Sequence, residues 1–397
     1  MTFPETEILT SLVSRVFRID DITAGGPEKG YIARYRGQLF NEDSAAAYDQ
    51  LADSIRQYNI TPLFRVEKGV QVIYLASSRP EPKATRITTN VVLFVLTVFS
   101  VMFAGAQMAD IQIDGPIPND TLGQILFLLR NIFQGWPFAL SLLGILLAHE
   151  FGHYLMSRYH KTPATLPYFI PFPLSPLGTM GAAILMRGIP KNKRILFDIG
   201  VAGPLAGLVV AIPVLFIGLR LSALGHIEPN PYGFIEGNSL LYLFAKFVVF
   251  GQLLPAPVES QGLLYWIRYF FTGSPVPFGG TDVFIHSVAF AGWAGILVTA
   301  LNLLPVGTLD GGHVVYSLFG EKAKKAFPYI LGALAALGLF WTGWWMWAIL
   351  LLWLGRVNAE PLDQITQLDS KRRMVAALVV VIFFLVFMPV PFVTLAQ

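Results

Sequence analysis

Two histidines and a glutamate lie within five residues of one another in FALSLLGILLAHEFGHYLMSRY, residues 138–159. His149 and His153 are four residues apart, so on a helix their side chains lie on one face, about one turn apart. The pattern H-E-x-x-H allows two imidazoles to bind one zinc ion, with the glutamate, here Glu150, as a general base. The surrounding residues are apolar enough to enter a lipid bilayer, where an ionisable side chain indicates a functional site. A hydrogen-bonded pair of helix histidines without a metal is the alternative interpretation.

A zinc site that does chemistry needs a third protein ligand and one position left open for water. The segment ALNLLPVGTLDGGHVVYSLFG offers Asp310 and His313 as candidates. Asp310 is the only carboxylate between Asp282 and Glu321, and burying it in a membrane without a cation costs about 2.5–3.5 kcal/mol on an insertion scale. We therefore predict Asp310 as the third ligand of one zinc ion per chain. The alternatives are His313 as the ligand, or Asp310 as a helix N-cap.

The composition of the chain is typical of a membrane protein. Of its 397 residues, 54% are hydrophobic and 13% are charged, and the mean hydropathy is +0.58. An average soluble domain has about 25% charged residues. The chain has no cysteine, which excludes disulfides, thiolate ligands and cysteine nucleophiles, so a metal site must use histidine and carboxylates. Basic residues cluster beside apolar runs, which indicates membrane topology and no nucleic-acid partner.

Several apolar segments reach the roughly 20 residues that a membrane-spanning helix needs. They lie near 87–109, 136–158, 195–221, 283–305 and 374–395. Residues 326–356 are long for one helix and short for two, and residues 237–272, with Lys246, are expected to be re-entrant or interfacial. Together these segments predict a polytopic α-helical membrane protein with about seven to eight spans.

The first 86 residues differ from the rest and predict a small soluble α+β domain, followed by a membrane domain at 87–397. Apolar residues at helical spacing, an amphipathic helix and a hairpin turning at Lys68-Gly69 support this division. Arg79, Lys83 and Arg86 precede the first span, and by the positive-inside rule they put this domain on the cytoplasmic side.

Three stretches, AHEFGH, DIGVAGPLAG and NLLPVGTLDGG, occur in this order in an apolar context. The chain resembles the site-2 protease family of intramembrane zinc metalloproteases over a core at about 136–320. The soluble N-terminal domain, the absence of a PDZ-like insert and the stretch GNSLLYLF are similar to its plant-plastid and cyanobacterial branch. A bacterial-type inner or plasma membrane, or a thylakoid membrane, is the expected location of such a multi-pass protein.

This resemblance implies a role for each matching residue. His149, His153 and Asp310 are the expected zinc ligands, and Glu150 is the expected catalytic base. Asn302 is expected to donate to the substrate carbonyl or the developing oxyanion, with an interhelical hydrogen bond as the alternative. The implied activity is hydrolysis of peptide bonds in or near transmembrane segments of substrate proteins, as in regulated intramembrane proteolysis, within the lipid bilayer.

Two other functions use the same residues. A zinc transporter would pass the ion through these ligands, but transit needs several successive ion positions and the sequence has one cluster. A catalytically inactive membrane scaffold would bind zinc without hydrolysis.

The loop PATLPYFIPFPLSPLGTMGAAILMRG, residues 163–188, predicts a membrane-associated β-hairpin after the zinc helix. Because a helical substrate hides its scissile bond, we expect a strand here to bind the substrate in an extended form. An ordinary interfacial hairpin is the alternative. Gly203 and Gly207 form a small-xxx-small pair that predicts close packing against the zinc-bearing helix. Asp198 is expected either to support the site or to lie at the interface. Three histidines are expected in loops or at the interface: His160, His226 and His286.

Overall fold

The computed structural model describes residues 6–26, 29–77, 87–108, 120–231, 233–355 and 359–395. A small α+β unit occupies the described residues up to 77, and a mainly helical part begins at residue 87. The predicted basic linker, with Arg79, Lys83 and Arg86, lies outside the described residues. The domain boundary at residue 86 therefore stays a prediction.

The N-terminal unit has two helices on a four-stranded antiparallel sheet with strand order β1-β2-β4-β3. Its elements are α1 (Thr6–Val13), β1 (Phe17–Gly26), β2 (Tyr31–Leu39), α2 (Ser44–Ile55), β3 (Ile60–Glu67) and β4 (Val70–Ser77). Leu9, Leu51 and Ile55 on the helices pack with the sheet in one buried core. The predicted hairpin turn is confirmed: Lys68 and Gly69 have φ of 49° and 84°, the left-handed pair that joins two strands tightly.

The rest of the chain is mainly helical. Its helices are α3 (Ile87–Ala106), α4 (Thr121–Arg130), α5 (Trp136–Tyr159), α6 (Lys193–Arg220), α7 (Leu240–Phe250), α8 (Leu263–Thr272), α9 (Ser287–Asn302), α10 (Asp310–Phe319), α11 (Phe327–Leu337), α12 (Gly343–Leu354) and α13 (Ser370–Val386). Three antiparallel strand pairs accompany them: β5 (Tyr168–Pro171) with β6 (Thr179–Ala183), β7 (Ala223–His226) with β9 (Thr281–Phe284), and β8 (Phe234–Glu236) with β10 (Phe392–Thr394). The hairpin expected after α5 is thus present as β5–β6.

Three helical stretches among the described residues are long and apolar enough to cross a membrane: Ile87–Ala106, Ile132–Tyr159 and Lys193–Arg220. The other predicted spans form shorter helices. The run at 283–305 gives α9 with 16 residues, and the run at 326–356 gives α11 and α12 with 11 and 12 residues. Helices α7 and α8, with 11 and 10 residues, are too short to cross alone. The described residues therefore contain three helices that could each cross a membrane alone, where the sequence predicts about seven to eight spans.

Helices α5, α6 and α9 pack side by side and form the centre of the helical part. Leu142 and Leu146 of α5 are buried in one cluster with Ala211 and Leu215 of α6 and Ile296 of α9. The two predicted close-packing glycines, Gly203 and Gly207, lie in α6 and face α5. This bundle surrounds the buried polar side chains of α5, among them His149, Glu150 and His153.

Candidate metal and catalytic site

Two side chains of α5 and one of α10 bring their metal-binding atoms together. The Nε2 atoms of His149 and His153 are 3.2 Å apart. The Asp310 carboxylate lies 3.3 Å from each imidazole, with Oδ2 near His149 and Oδ1 near His153. Both histidines are buried, at 3% and 7% exposure. Three electron-rich ligand atoms thus converge within 4.8 Å in an apolar surrounding.

The spacing of these three atoms fits a zinc ion. With zinc–ligand bonds of about 2.0–2.1 Å and tetrahedral angles, neighbouring ligand atoms are about 3.3 Å apart. The Nε2–Nε2 separation of 3.2 Å agrees with that geometry, and each imidazole lies 3.3 Å from one of the two oxygens of the Asp310 carboxylate. Removing a carboxylate and two imidazoles from water costs free energy, and a cation bound between them compensates that cost. Zinc is therefore the ion that this ligand set fits, and three protein ligands leave one position open.

Helix α6 holds the second histidine in the required tautomer. His153 Nδ1 donates a hydrogen bond to the Ile199 carbonyl oxygen at 2.7 Å, which leaves Nε2 free to bind a metal. Gly203 permits this approach, because a Cβ at that position would lie 2.1 Å from His153 Nε2. At Gly207 a Cβ would lie 3.2 Å from His149. The glycine pair is thus adjacent to both metal-binding imidazoles.

Asp310 reaches the site because the chain breaks between α9 and α10. Helix α9 ends at Asn302 and α10 begins at Asp310, with turns at Pro305 and Gly307 between them. Two glycines let the first turn of α10 pack on this connection. A Cβ on Gly311 would lie 2.0 Å from the Leu303 carbonyl oxygen, so no larger residue fits there without movement. The Asp310 carboxylate faces the two imidazoles instead of capping its helix.

Glu150 lies beside the ligands on the wall of a cavity of about 430 Å³. Its side chain is 5% exposed and the backbone of Ile184, just after β6, lies within hydrogen-bonding reach of its carboxylate. Residues 182–186 form one side of this cavity, and Ala359 contributes to another. An extended chain could therefore lie between β6 and the glutamate.

Asn302 and His313 line the same cavity. Asn302 Nδ2 is 3.4 Å from His149 Nε2, so its amide points at the metal-binding group from the end of α9. His313 is buried and its Nδ1 has no partner, but it does not join the cluster of three ligand atoms. The geometry thus favours Asp310 over His313 as the third ligand.

Comparison with known proteins agrees with this geometry. Residues 137–340, slightly more than half of the chain, match the family described as peptidase family M50. This range contains both histidines, Glu150, Asn302 and Asp310. The chain belongs to peptidase family M50. The resemblance to site-2 proteases noted in the sequence is thereby confirmed.

Named relatives of this M50 chain are plant proteins. It is 32% identical over 330 residues to "Probable zinc metalloprotease EGY1, chloroplastic" of Oryza sativa subsp. japonica, an alignment covering 79% of this chain and 52% of the relative. It is 32% identical over 259 residues to the EGY1 protein of Arabidopsis thaliana, covering 64% and 43%. It is 26% identical over 394 residues to "Probable zinc metalloprotease EGY2, chloroplastic" of Oryza sativa subsp. indica, covering 96% and 66%. The alignments thus span 43% to 66% of the length of these relatives.

The remaining residues singled out in the M50 sequence lie away from the metal ligands. Asp198 Oδ2 is 2.9 Å from His160 Nε2, and the Asp198 carboxylate also accepts hydrogen bonds from Arg372 at 2.8 and 2.6 Å. His286 accepts a hydrogen bond from the Val288 amide and caps α9. His226 is exposed at the end of β7. These groups join elements and do not contact the ligand cluster.

Sequence reasoning missed the backbone groups that support this M50 site. The Ile199 carbonyl and the backbone of Ile184 carry no residue signature, so a sequence pattern cannot reveal them. Ala359 lies some 50 residues beyond Asp310, in a segment without a chemical motif. Its position on the cavity wall is therefore visible only in the folded structure.

Proposed function

We propose that this chain is an intramembrane zinc metalloendopeptidase that hydrolyses peptide bonds in or near the transmembrane segments of other proteins. The observation that carries the proposal is the cluster of two buried histidines, His149 and His153, with the half-buried Asp310, and Glu150 on the same cavity wall. Membership of family M50 supports the same activity. The zinc-metalloprotease names of the relatives agree with it.

His149, His153 and Asp310 hold the zinc ion in this proposal. Zinc, when bound, makes a water molecule more acidic and polarises a peptide carbonyl. Glu150 takes a proton from the attacking water and later delivers it to the leaving amine nitrogen. The apolar surroundings of Glu150 exclude bulk water and so strengthen its interaction with the reacting groups.

Asn302 is proposed to stabilise charge that develops on the substrate carbonyl. Its amide Nδ2 lies at the cavity, close to the metal-binding imidazole of His149. An amide donor placed in advance lowers the energy of an oxyanion more than that of a neutral carbonyl. The alternative role is an interhelical contact between α9 and α5, which the same 3.4 Å approach supports.

Strand β6 and the residues after it are proposed to bind the substrate as an added strand. One side of this segment pairs with the chain, since Thr165 donates its amide proton to the Leu185 carbonyl and Ala164 bridges Met186. Residues 182–186 also line the cavity. An extended substrate there would expose its scissile carbonyl instead of hiding it in a helix. An ordinary interfacial hairpin remains the alternative.

The substitution Glu150→Gln tests the activity. Glutamine has nearly the same shape but cannot accept the proton, so we expect zinc content to stay near one ion per chain. Cleavage of a fluorogenic membrane-spanning peptide should fall by about 10²–10⁴-fold. The exposed residue Glu228 provides the matched control Glu228→Gln, which should cleave normally. Normal cleavage by Glu150→Gln would refute the role of Glu150 as the base.

We further propose that the chain crosses the membrane about seven to eight times, with the N-terminal unit on the cytoplasmic side. Lys191 Nζ lies 2.9 Å from Asp49 and Arg194 Nη1 lies 3.5 Å from Asp43, so this unit contacts the basic start of α6. Those basic residues favour the cytoplasmic side. The proposed location is a bacterial-type inner or plasma membrane, or a thylakoid membrane. The word "chloroplastic" in the relatives' names agrees with the second.

Because the chain has no cysteine, single introduced cysteines report this topology. Asp20 and Glu228 are exposed positions in the N-terminal unit and after β7, respectively. In intact cells, a maleimide that does not cross membranes should label Glu228→Cys and spare Asp20→Cys. Labelling of both positions would contradict the orientation.

A further inference from the structure

The segment 359–366, between α12 and α13, meets the edge of strand β3 at Phe64. The Phe64 amide donates to the Leu362 carbonyl at 2.9 Å, and the Gln364 amide donates to the Phe64 carbonyl at 3.0 Å. These two hydrogen bonds form one isolated parallel bridge between Phe64 and Asp363 at the edge of the sheet of the N-terminal unit. An edge strand leaves backbone groups unpaired, so its pairing here gives the two segments a specific register.

The same segment is bonded on its other side to the chain that leads into α6. The Leu362 amide donates to the Pro190 carbonyl at 3.0 Å, and the Asp363 amide donates to the Lys191 carbonyl at 2.7 Å. Residues 359–366 therefore lie between the N-terminal unit and the loop at 190–192. This loop follows the cavity-lining residues 184–186 by only a few positions.

Asp363 anchors this arrangement from a fully buried position. Its carboxylate accepts hydrogen bonds from the Ser44 hydroxyl at 2.8 Å, from the Thr366 hydroxyl, and from the amides of Ile365 at 2.8 Å and Thr366 at 3.2 Å. Ser44 is the first residue of α2, so one buried charge joins the N-terminal unit to the segment. Removing the Asp363 carboxylate would destabilise the fold, because a buried donor without a partner has lost its hydrogen bonds to water and gained none from the protein.

A second anchor comes from Arg65 of strand β3. Its Nη1 donates to the carbonyl oxygens of Leu362 at 2.7 Å and Pro361 at 3.2 Å. Leu362 and Ile365 also pack against the buried core of the N-terminal unit. The segment is thus held by backbone pairing, by one buried anion and by one cation.

One end of this segment reaches the catalytic cavity. Ala359, the first described residue of the segment, lines the cavity together with Glu150 and the metal-ligand cluster. The next residue, Glu360, lies 2.6 Å from Lys324 Nζ, in the turn after the helix that Asp310 begins. Contacts of the N-terminal unit therefore continue without interruption to the walls of the cavity.

We propose that the N-terminal unit is a fixed support for the catalytic cleft: it holds the segment 359–366, whose Ala359 forms part of the cavity wall, and Asp363 is the positioning residue. Asp363 and Arg65 do not line the cavity, so the support acts on the shape of the substrate-binding wall and not on the chemical step. This inference concerns how the substrate-binding wall is held in place, and it rests on the proposed peptidase activity. Its first test, however, does not need activity.

A cysteine at Ala359 reports the position of the wall, because it would be the only thiol in the chain. Maleimide labelling of Ala359→Cys is measured alone and combined with Asp363→Ala, Arg65→Ala or the exposed-site control Asp20→Ala. We expect Asp363→Ala and Arg65→Ala to raise the labelling rate about tenfold, since each removes several buried hydrogen bonds. The control should leave the rate unchanged. Unchanged labelling in both variants would overturn the proposal.

The kinetic test uses a fluorogenic membrane-spanning peptide. Asp363→Ala should keep full zinc content and a kcat within about twofold of the wild type, while KM rises about tenfold, as expected for loss of binding alone. A fall in kcat at unchanged KM would overturn the positioning role. If the wild type cleaves nothing, the proposed activity fails, and the labelling result still decides whether the wall exists.

A disulfide distinguishes a fixed support from a movable gate. The Ser44 and Thr366 hydroxyl oxygens are 2.9 Å apart, so Ser44→Cys with Thr366→Cys places two thiols in contact. We expect the pair to oxidise readily and the cross-linked protein to cleave with wild-type KM. Failure of the disulfide to form would contradict the docked arrangement. Loss of cleavage that a reductant restores would show that the unit must separate, and would also overturn the proposal.

Discussion

At the scale of single residues, the site depends on a glycine, Gly203, as much as on the candidate ligands. His153 has one nitrogen bonded to the Ile199 carbonyl and the other directed at Asp310. The contact with Ile199 requires α6 to approach α5 closely, and Gly203 makes that possible. The glycine therefore supports the position of His153 although it has no chemistry of its own.

Gly203→Ala should weaken zinc binding by about 10- to 100-fold, the range seen when groups that orient metal ligands are changed. The added methyl carbon would lie 2.1 Å from His153 Nε2, so the imidazole has to move. Zinc content after dialysis against a graded chelator measures the effect. Gly144→Ala is the matched control, because it lies on α5 and its Cβ would meet nothing within 4 Å. Equal zinc retention in the two variants would contradict this account.

The sequence predicts the side chains of the site well and its backbone contributions poorly. His149 and His153 have the spacing of a metal-binding pair, and Asp310 is isolated in an apolar stretch. These two features are enough to predict that the three residues lie together. Their assignment as ligands, and that of Glu150 as base, are predictions that the geometry supports. The Ile199 carbonyl could not be predicted, because any residue there offers the same oxygen.

At the scale of elements, interruptions of the helices create the site. The chain stops being helical between Asn302 and Asp310, which turns the carboxylate toward α5. An apolar run read by composition alone predicts one continuous span at 283–305, whereas the structure has the end of strand β9 followed by α9, which ends at Asn302. The same cause separates α11 from α12. Hydropathy detects the runs, but the prolines and glycines inside them set where helices end.

Strand β6 offers a test at this scale. Ala183→Pro removes a backbone donor and restricts the chain next to the cavity, so we expect cleavage of a membrane-spanning peptide to fall about tenfold. Zinc content should not change, because no metal ligand lies in this strand. Ala183→Ser keeps the amide and should behave like the wild type. Full activity of the proline variant would favour the alternative of an ordinary interfacial hairpin.

The sequence predicts some strands of the N-terminal unit and not others. The hairpin β3–β4 follows from alternating apolar residues and the Lys68-Gly69 turn. Strand β1, FRIDDITAGG, was not predicted, because adjacent acidic residues and terminal glycines interrupt the alternation. It lies at the edge of the sheet, where mostly exposed or half-buried side chains are tolerated.

At the scale of the whole molecule, a helical part that holds a buried ligand cluster is bonded to a small α+β unit through residues 359–366. Among the described residues, one group of three side chains is arranged to bind a metal. A transport path would need successive ion positions, so this arrangement favours hydrolysis over zinc transport. An inactive scaffold has no use for a glutamate placed beside the ligands.

The central claim is that one zinc ion, held by groups from two separate helices, makes the protein a peptidase. Metal analysis of purified wild type and Asp310→Ala, combined with cleavage of a fluorogenic membrane-spanning peptide, tests it most directly. We predict about one zinc per wild-type chain with cleavage, and loss of both in Asp310→Ala, since only two protein ligands remain. Wild-type protein without zinc, or an Asp310→Ala variant that keeps both zinc and cleavage, would contradict the account.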